Sequence, residues 1–160
     1  MFFGQEEPVA LSSEEQMAWA AYIEASLRLE TLLDEALRAE TGLTLFDYHV
    51  LVVLSEAPQQ RLRMSELADR MVFSRSRITY QVNSMIKRGL VAREPAPDDG
   101  RGYRAVLTAT GLQTLRRAAP RHAATVRNLF LDHIHDDELP TIERVFTRLQ
   151  TSLTATKERS

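Results

Sequence analysis

One segment, Arg61 to Arg104, constrains the fold of this chain more than any other. It opens Arg61-Leu-Arg-Met-Ser-Glu-Leu-Ala-Asp-Arg-Met-Val-Phe-Ser-Arg-Ser-Arg-Ile-Thr-Tyr-Gln-Val and closes Pro97-Asp-Asp-Gly-Arg-Gly-Tyr-Arg104. Two short helical patterns follow one another, with Phe73 alone between the first and Ser74, the cap of the second. A Gly-tipped basic hairpin comes next. The segment holds ten basic and five acidic residues, +5 in a chain of net charge −2, so the remainder carries −7. Charge segregated in this way marks a module that meets a polyanion, mounted on a body that does not.

The elements on either side give the segment its setting. Residues 1 to about 11 are weakly patterned and read as a loose arm. Ser12-Ser-Glu-Glu15 is a capping-box pattern that opens a long helix to about Glu40, apolar at Met17, Ala20, Ile23, Leu27, Leu32 and Leu37. Thr44 with Asp47 caps a second helix, Leu45 to Glu56, which Pro58 closes. Ser65 is expected to cap a third, and Ser74 a fourth from about Arg75 to Arg88, stopped by Gly89. Val91–Glu94 and Tyr103–Leu107 are strand-like around the hairpin tip. Thr108 caps a long helix to about His133 that Pro120 should bend, and Asp136 caps a last helix with Leu139, Ile142, Val145, Phe146, Leu149 and Leu153 as its stripe. The fold class expected is mainly α: a winged helix-turn-helix with long N- and C-terminal dimerisation helices. Its divisions are an arm and dimerisation helix over 1–40, a DNA-binding lobe over 41–107 and C-terminal dimerisation helices over 108–160. A central module of about 60 residues cannot bury such terminal stripes alone, so a homodimer is the economical reading, with a monomer folded on its own helices as the alternative.

Bulk properties narrow the function classes. With 44% hydrophobic and 26% charged residues the chain is an ordinary globular protein of one domain, or of one module on an accessory scaffold. The absence of cysteine removes disulfides, thiolate metal sites and thiol redox sensing together. The N-terminus lacks a secretory pattern and no segment approaches a membrane span, so a cytoplasmic location is expected. Lys87 and Lys157 are the only lysines. The arginine preference suits phosphate and guanine, and a compositional bias of the source explains it equally.

The fourth helix has the chemistry of a groove reader. Ile78, Val82, Met85 and Ile86 form its apolar face; Ser76, Arg77, Tyr80, Asn83, Ser84 and Lys87 lie opposite, with Arg75, Thr79 and Gln81 on the flanks. Arg75 or Arg77 suits guanine, Gln81 suits adenine, and Tyr80 suits a thymine methyl or a phosphate. Ser65 and Ser74 are expected chiefly to hold helix N-termini, whose free N–H groups also suit phosphates. At the hairpin tip, Asp99-Gly-Arg-Gly102 lets Arg101 stand clear toward a narrow minor groove, with Asp98 or Asp99 orienting it.

These residues resemble the MarR (multiple antibiotic resistance regulator) family of winged-helix transcription factors, over roughly Ser12 to Leu153. The resemblance rests on Ser74-Arg-Ser-Arg-Ile-Thr-Tyr-Gln-Val, Gly89-Leu-Val-Ala-Arg93, Asp99-Gly-Arg101 and Leu107-Thr-Ala-Thr-Gly111. It implies an obligate homodimer on a pseudo-palindromic double-stranded DNA operator. It also implies transcriptional control, usually repression, relieved by small amphipathic or aromatic effectors in a cleft between the dimerisation helices and the DNA-binding lobe. By position, the recognition-helix role falls to Arg75, Ser76, Arg77, Thr79, Tyr80 and Gln81, and the wing role to Asp99 and Arg101. Asn83-Ser-Met-Ile86 replaces a more charged sequence common before the following turn, so only Lys87 inherits a phosphate contact there.

Around that implied cleft, Trp19 and His49 stand out as candidate ligand-binding residues beside Phe46 and Tyr48. Aromatic residues in such positions more often belong to the core. Asp132-His-Ile-His-Asp-Asp-Glu138 has metal-binding residue types, yet His133 and His135 diverge by about 200° on a helix, and helix capping explains the run better. No metal or other cofactor is expected, and no nucleophile, paired acid and base or phosphate loop points to an enzyme.

Overall fold

The computed structural model describes residues 10–71, 73–96 and 102–158. Its elements are α1 (Ser13–Thr41), α2 (Leu45–Glu56), β1 (Arg61–Arg63), α3 (Met64–Met71), α4 (Arg75–Lys87), β2 (Val91–Pro95), β3 (Tyr103–Leu107), α5 (Ala109–Leu129) and α6 (Leu139–Glu158). Two compact units, Met1–Ala118 and Ala119–Ser160, meet inside α5 just ahead of Pro120. The first contains the sheet together with α1 and the first half of α5, so these share a unit with the 41–107 lobe.

Local chemistry sets most helix ends. Ser12 Oγ accepts the Glu15 N–H at 3.2 Å, and the Glu15 carboxylate accepts the Ser12 N–H at 2.7 Å. Thr44 and Asp47 repeat the capping box at α2, with bonds of 2.9 and 3.0 Å. Ser74 caps α4 by accepting the Arg77 N–H at 3.3 Å. Gly89 follows at φ 71, a left-handed turn that a Cβ would oppose.

Three expected boundaries move. α3 starts at Met64, which puts Ser65 inside its first turn, and the Glu66 carboxylate takes the Arg63 N–H at 2.9 Å. α5 stops at Leu129 and a 3-10 turn fills Leu131–His133. Asp136 lies in a turn before α6, and it is Glu138 that reaches back, accepting the His135 N–H at 2.9 Å.

The sheet is antiparallel with strand order β1-β3-β2. The β2–β3 hairpin pairs Val91 with Leu107 and Pro95 with Tyr103. β1, three residues long, pairs Arg61 with Val106 on the other side of β3. Below it, Leu43, Val50, Leu51, Leu54, Leu67, Ile78, Val82 and Met85 are all at most 1% exposed and form one cluster. Each such side chain contributes about 1.5–3 kcal/mol by leaving water. α5 joins this cluster through Leu115 and Ala118.

The long helices keep an apolar surface in the single chain. On α1, Met17 is 67% exposed, Trp19 55% and Leu27 58%, whereas Leu37 is buried. On α6, Val145, Phe146, Leu149 and Leu153 are exposed. Among the described residues no helix is long and apolar enough to cross a membrane.

Candidate nucleic-acid interface

α4 presents two opposed faces. Ile78, Val82 and Met85 are buried in the core cluster, on the side where α4 meets α3 and β2, which fixes the outward direction of the remaining side chains. Tyr80 is 77% exposed, and Arg75, Ser76, Arg77, Asn83 and Lys87 are exposed with it. Thr79 is half-buried, its hydroxyl donating to the Arg75 carbonyl at 2.8 Å. Ser74 Oγ lies 3.1 Å from Ser76 Oγ, so the first turn of α4 carries two hydroxyls beside Arg75.

Two of the expected base-reading residues are engaged elsewhere. The Arg77 guanidinium lies over the Phe73 ring, 4.2 Å from its centroid, and 5.6 Å from that of Phe46. The two rings are themselves 4.8 Å apart. The Gln81 amide donates to Asp47 Oδ1 at 2.5 Å and is half-buried, turned toward α2. The wing residues Asp99 and Arg101 lie outside the described residues. Their hairpin is closed at its last described rung by the Ala96 N–H donating to the Gly102 carbonyl at 2.9 Å.

Beside α4 a cleft of about 250 Å³ lies between Arg63 and Ser65 on one side and Gly102 and Tyr103 on the other, with Arg75 and Thr79 in its wall. The Arg93 guanidinium stacks 4.0 Å from the Tyr103 centroid at the hairpin. Sequence reasoning assigned no contact to Arg63, Arg93 or Tyr103. For the two arginines the signal was the surplus of arginine across Arg61–Arg104, which marks a basic region and no individual residue.

A larger cavity, about 1100 Å³, lies behind α4 between α1, α2 and α3. Leu33, Phe46, Val53, Met71 and Phe73 supply apolar wall, and Glu30, Asp34, Arg38, His49, Arg70 and Arg77 supply charge or polarity. His49 is one of its walls; Trp19 is not, and packs on Tyr22 with ring centroids 5.8 Å apart. Desolvation pushes the His49 imidazole below its usual range, against the opposing pull of the Glu30 charge. Burial raises the Asp34 carboxyl, but bonds from Arg38 and the Leu45 N–H outweigh it and hold the group below the ordinary carboxylate value. Among the described residues no three His, Asp or Glu side chains converge on a metal-binding geometry.

Comparison with known proteins matches the MarR family over residues 41–102, from the turn before α2 to the edge of the hairpin tip. A MarR family transcriptional regulator from Streptomyces coelicolor, solved in complex with DNA, superposes with a TM-score of 0.88 at 38% identity, covering 92% of each chain. AbsC, a MarR family transcriptional regulator of the same organism, superposes at 0.86 with 37% identity over 92% of this chain and 99% of AbsC. The HTH-type transcriptional regulator PrsX of Escherichia coli is 26% identical over 125 residues, 78% of this chain and 75% of PrsX. A helix-turn-helix, a two-stranded hairpin and long flanking helices are thus shared at substantial identity along nearly the whole length, and the chain belongs to the MarR family.

Proposed function

We propose that this protein is a sequence-specific DNA-binding transcriptional regulator, a repressor that acts as a homodimer on a pseudo-palindromic operator and releases it when a small ligand binds. The carrying observation is the polarity of α4. Its inner face is buried to within 1% exposure at Ile78, Val82 and Met85, while its outer face offers Arg75, Ser76, Tyr80 and Lys87. A helix so mounted enters a major groove with its N-terminal turn toward base edges. The cleft of Arg63, Ser65, Arg75 and Tyr103 suits a backbone phosphate beside it. Arg101 at the wing tip serves the adjacent minor groove. The S. coelicolor regulator solved with DNA supports this assignment by its likeness.

Control by a ligand is supported by the larger cavity. It is amphipathic, and Arg77 and Gln81 of the recognition helix form part of its wall. A small aromatic or amphipathic molecule that fills it more tightly in one placement of α4 than in another shifts the protein away from its DNA-competent state.

The test is binding of a mixed-sequence duplex pool across a salt series. The reading predicts a steep negative log-salt slope, shallower by about one for each of Arg63→Ala and Arg75→Ala where these hold phosphates. A flat slope for the folded protein identifies a winged-helix interaction module instead.

A further inference from the structure

Asp47 is the one buried charged or polar residue of the core among the described residues, at 0% exposure. Its carboxylate accepts three hydrogen bonds from three places in the sequence. The Thr44 N–H donates at 3.0 Å, Gln81 Nε2 at 2.5 Å and Arg88 Nη1 at 2.7 Å. Arg88 also donates through Nη2 to the Gly42 carbonyl at 3.1 Å, which ties the same guanidinium to the end of α1. The first of these bonds is an ordinary helix cap. The other two reach 34 and 41 residues along the chain, to the middle of α4 and to its C-cap.

We infer that Asp47 is the positioning residue of the recognition helix, and that Gln81 belongs to this anchor and not to the base-reading set. Apolar packing of Ile78, Val82 and Met85 holds α4 against the core but is non-directional, so it tolerates small rotations and slides. Directional bonds at two points resist both. Gln81 and Arg88 are seven residues apart, nearly two full turns and about 10 Å of helix, and therefore project to the same side. A single carboxylate receiving both fixes α4 about its axis and along it. Base reading needs side chains held to within about 0.5 Å and 10–20°. The anchor meets that need for Arg75, Ser76 and Tyr80 without touching DNA. Its donors to a buried anion are charge-assisted or dipolar, so every carboxylate oxygen is engaged and the burial of the charge is compensated.

This inference rests on the DNA-binding reading above, and two measurements on the full chain separate them. Amide hydrogen exchange of Asp47→Asn, without DNA, is expected to speed by at least tenfold over α4 while the amides of α2's Val50, Leu51 and Leu54 keep their protection. The ratio of affinities for the duplex selected by the native protein and for a scrambled duplex is expected to fall at least tenfold in both Asp47→Asn and Gln81→Met. The scrambled affinity and the salt slope are expected to stay unchanged, because no phosphate contact is lost. The double variant should be no worse than either single one. Where Asp47→Asn does not fold, Arg88→Lys and Gln81→Met carry the same comparison. Unchanged exchange over α4 overturns the inference. So does a lowered melting temperature with an unaltered affinity ratio, which makes Asp47 a stabilising group only. A change of preferred base at one position in Gln81→Met, absent from Asp47→Asn, returns Gln81 to the base readers. If the native protein selects no duplex, the DNA-binding reading fails while the exchange measurement still decides what holds α4.

Discussion

Arg77 carries its charge above two aromatic rings, at the seam between the exposed side of α4 and the cavity behind it. Such stacking stabilises by about 0.5–1 kcal/mol at an exposed site, small enough for the side chain to leave the rings when a better partner arrives. Under the proposed function, a base edge or phosphate on one side and a ligand on the other compete for this one guanidinium. His49, on the cavity wall, offers a measurable sign. Its folded-state pKa lies below the ordinary 6.5 through desolvation, so between the two values the unfolded chain binds more protons than the folded one. Stability then rises with pH through that window and levels off above it. Titration of the His49 ring by NMR, assigned with His49→Gln, should give a midpoint below 6.5, and the variant should lose this rise. A midpoint at or above 6.5 contradicts the desolvated placement.

At the scale of elements, the joint between the hairpin and α5 leaves no room for a side chain at Gly111. A Cβ on Gly111 would stand 2.1 Å from the Leu90 carbonyl oxygen and 2.9 Å from Leu107 Cδ1. Thr108 locks the same corner, its hydroxyl shared between the Gly89 and Leu90 carbonyls at 2.7 and 3.0 Å and accepting the Gly111 N–H at 3.0 Å. Gly111→Ala must push α5 away from backbone, so a loss of about 1–3 kcal/mol is expected in denaturant unfolding. A variant as stable as the native chain would show that α5 does not seat there. What the sequence made legible in these elements follows range. The α4 stripe of Ile78, Val82 and Met85 and the caps at Ser12, Thr44 and Ser74 depend on neighbours within a few turns, and they stand where periodicity and capping residues put them. β1 went unseen because Arg61-Leu-Arg63 is too short to show alternation and exists by pairing with Val106, Ala105 and Arg104. Asp47 was legible as the partner of Thr44, but its bonds to Gln81 and Arg88 arise only from folding. Ser65 and Asp136 lost their expected capping roles to Glu66 and Glu138, side chains long enough to reach back three residues.

At the scale of the whole molecule, two amphipathic helices leave apolar side chains in water that the single chain does not cover. Met17, Trp19 and Leu27 on α1 and Phe146, Leu149 and Leu153 on α6 are each more than 40% exposed. Under the proposed homodimer, a second copy covers these surfaces. Sedimentation equilibrium should return twice the 18.2 kDa chain mass at micromolar concentration, and Leu27→Glu with Leu149→Glu should shift the protein toward monomer. A native protein that sediments as a monomer would remove the two-fold reading and with it the paired half-sites. The charge pattern belongs to this scale too: under the proposed function, +5 over Arg61–Arg104 against −7 elsewhere steers DNA to the central lobe.

Selection of bound sequences from a random duplex pool, with purified full-length protein at near-physiological salt, tests the central claim most directly. The account predicts a pseudo-palindrome with half-sites about one helical turn apart, and an altered preference when Arg75 or Arg77 is replaced by Ala. Folded, dimeric protein that enriches no sequence above background would contradict it.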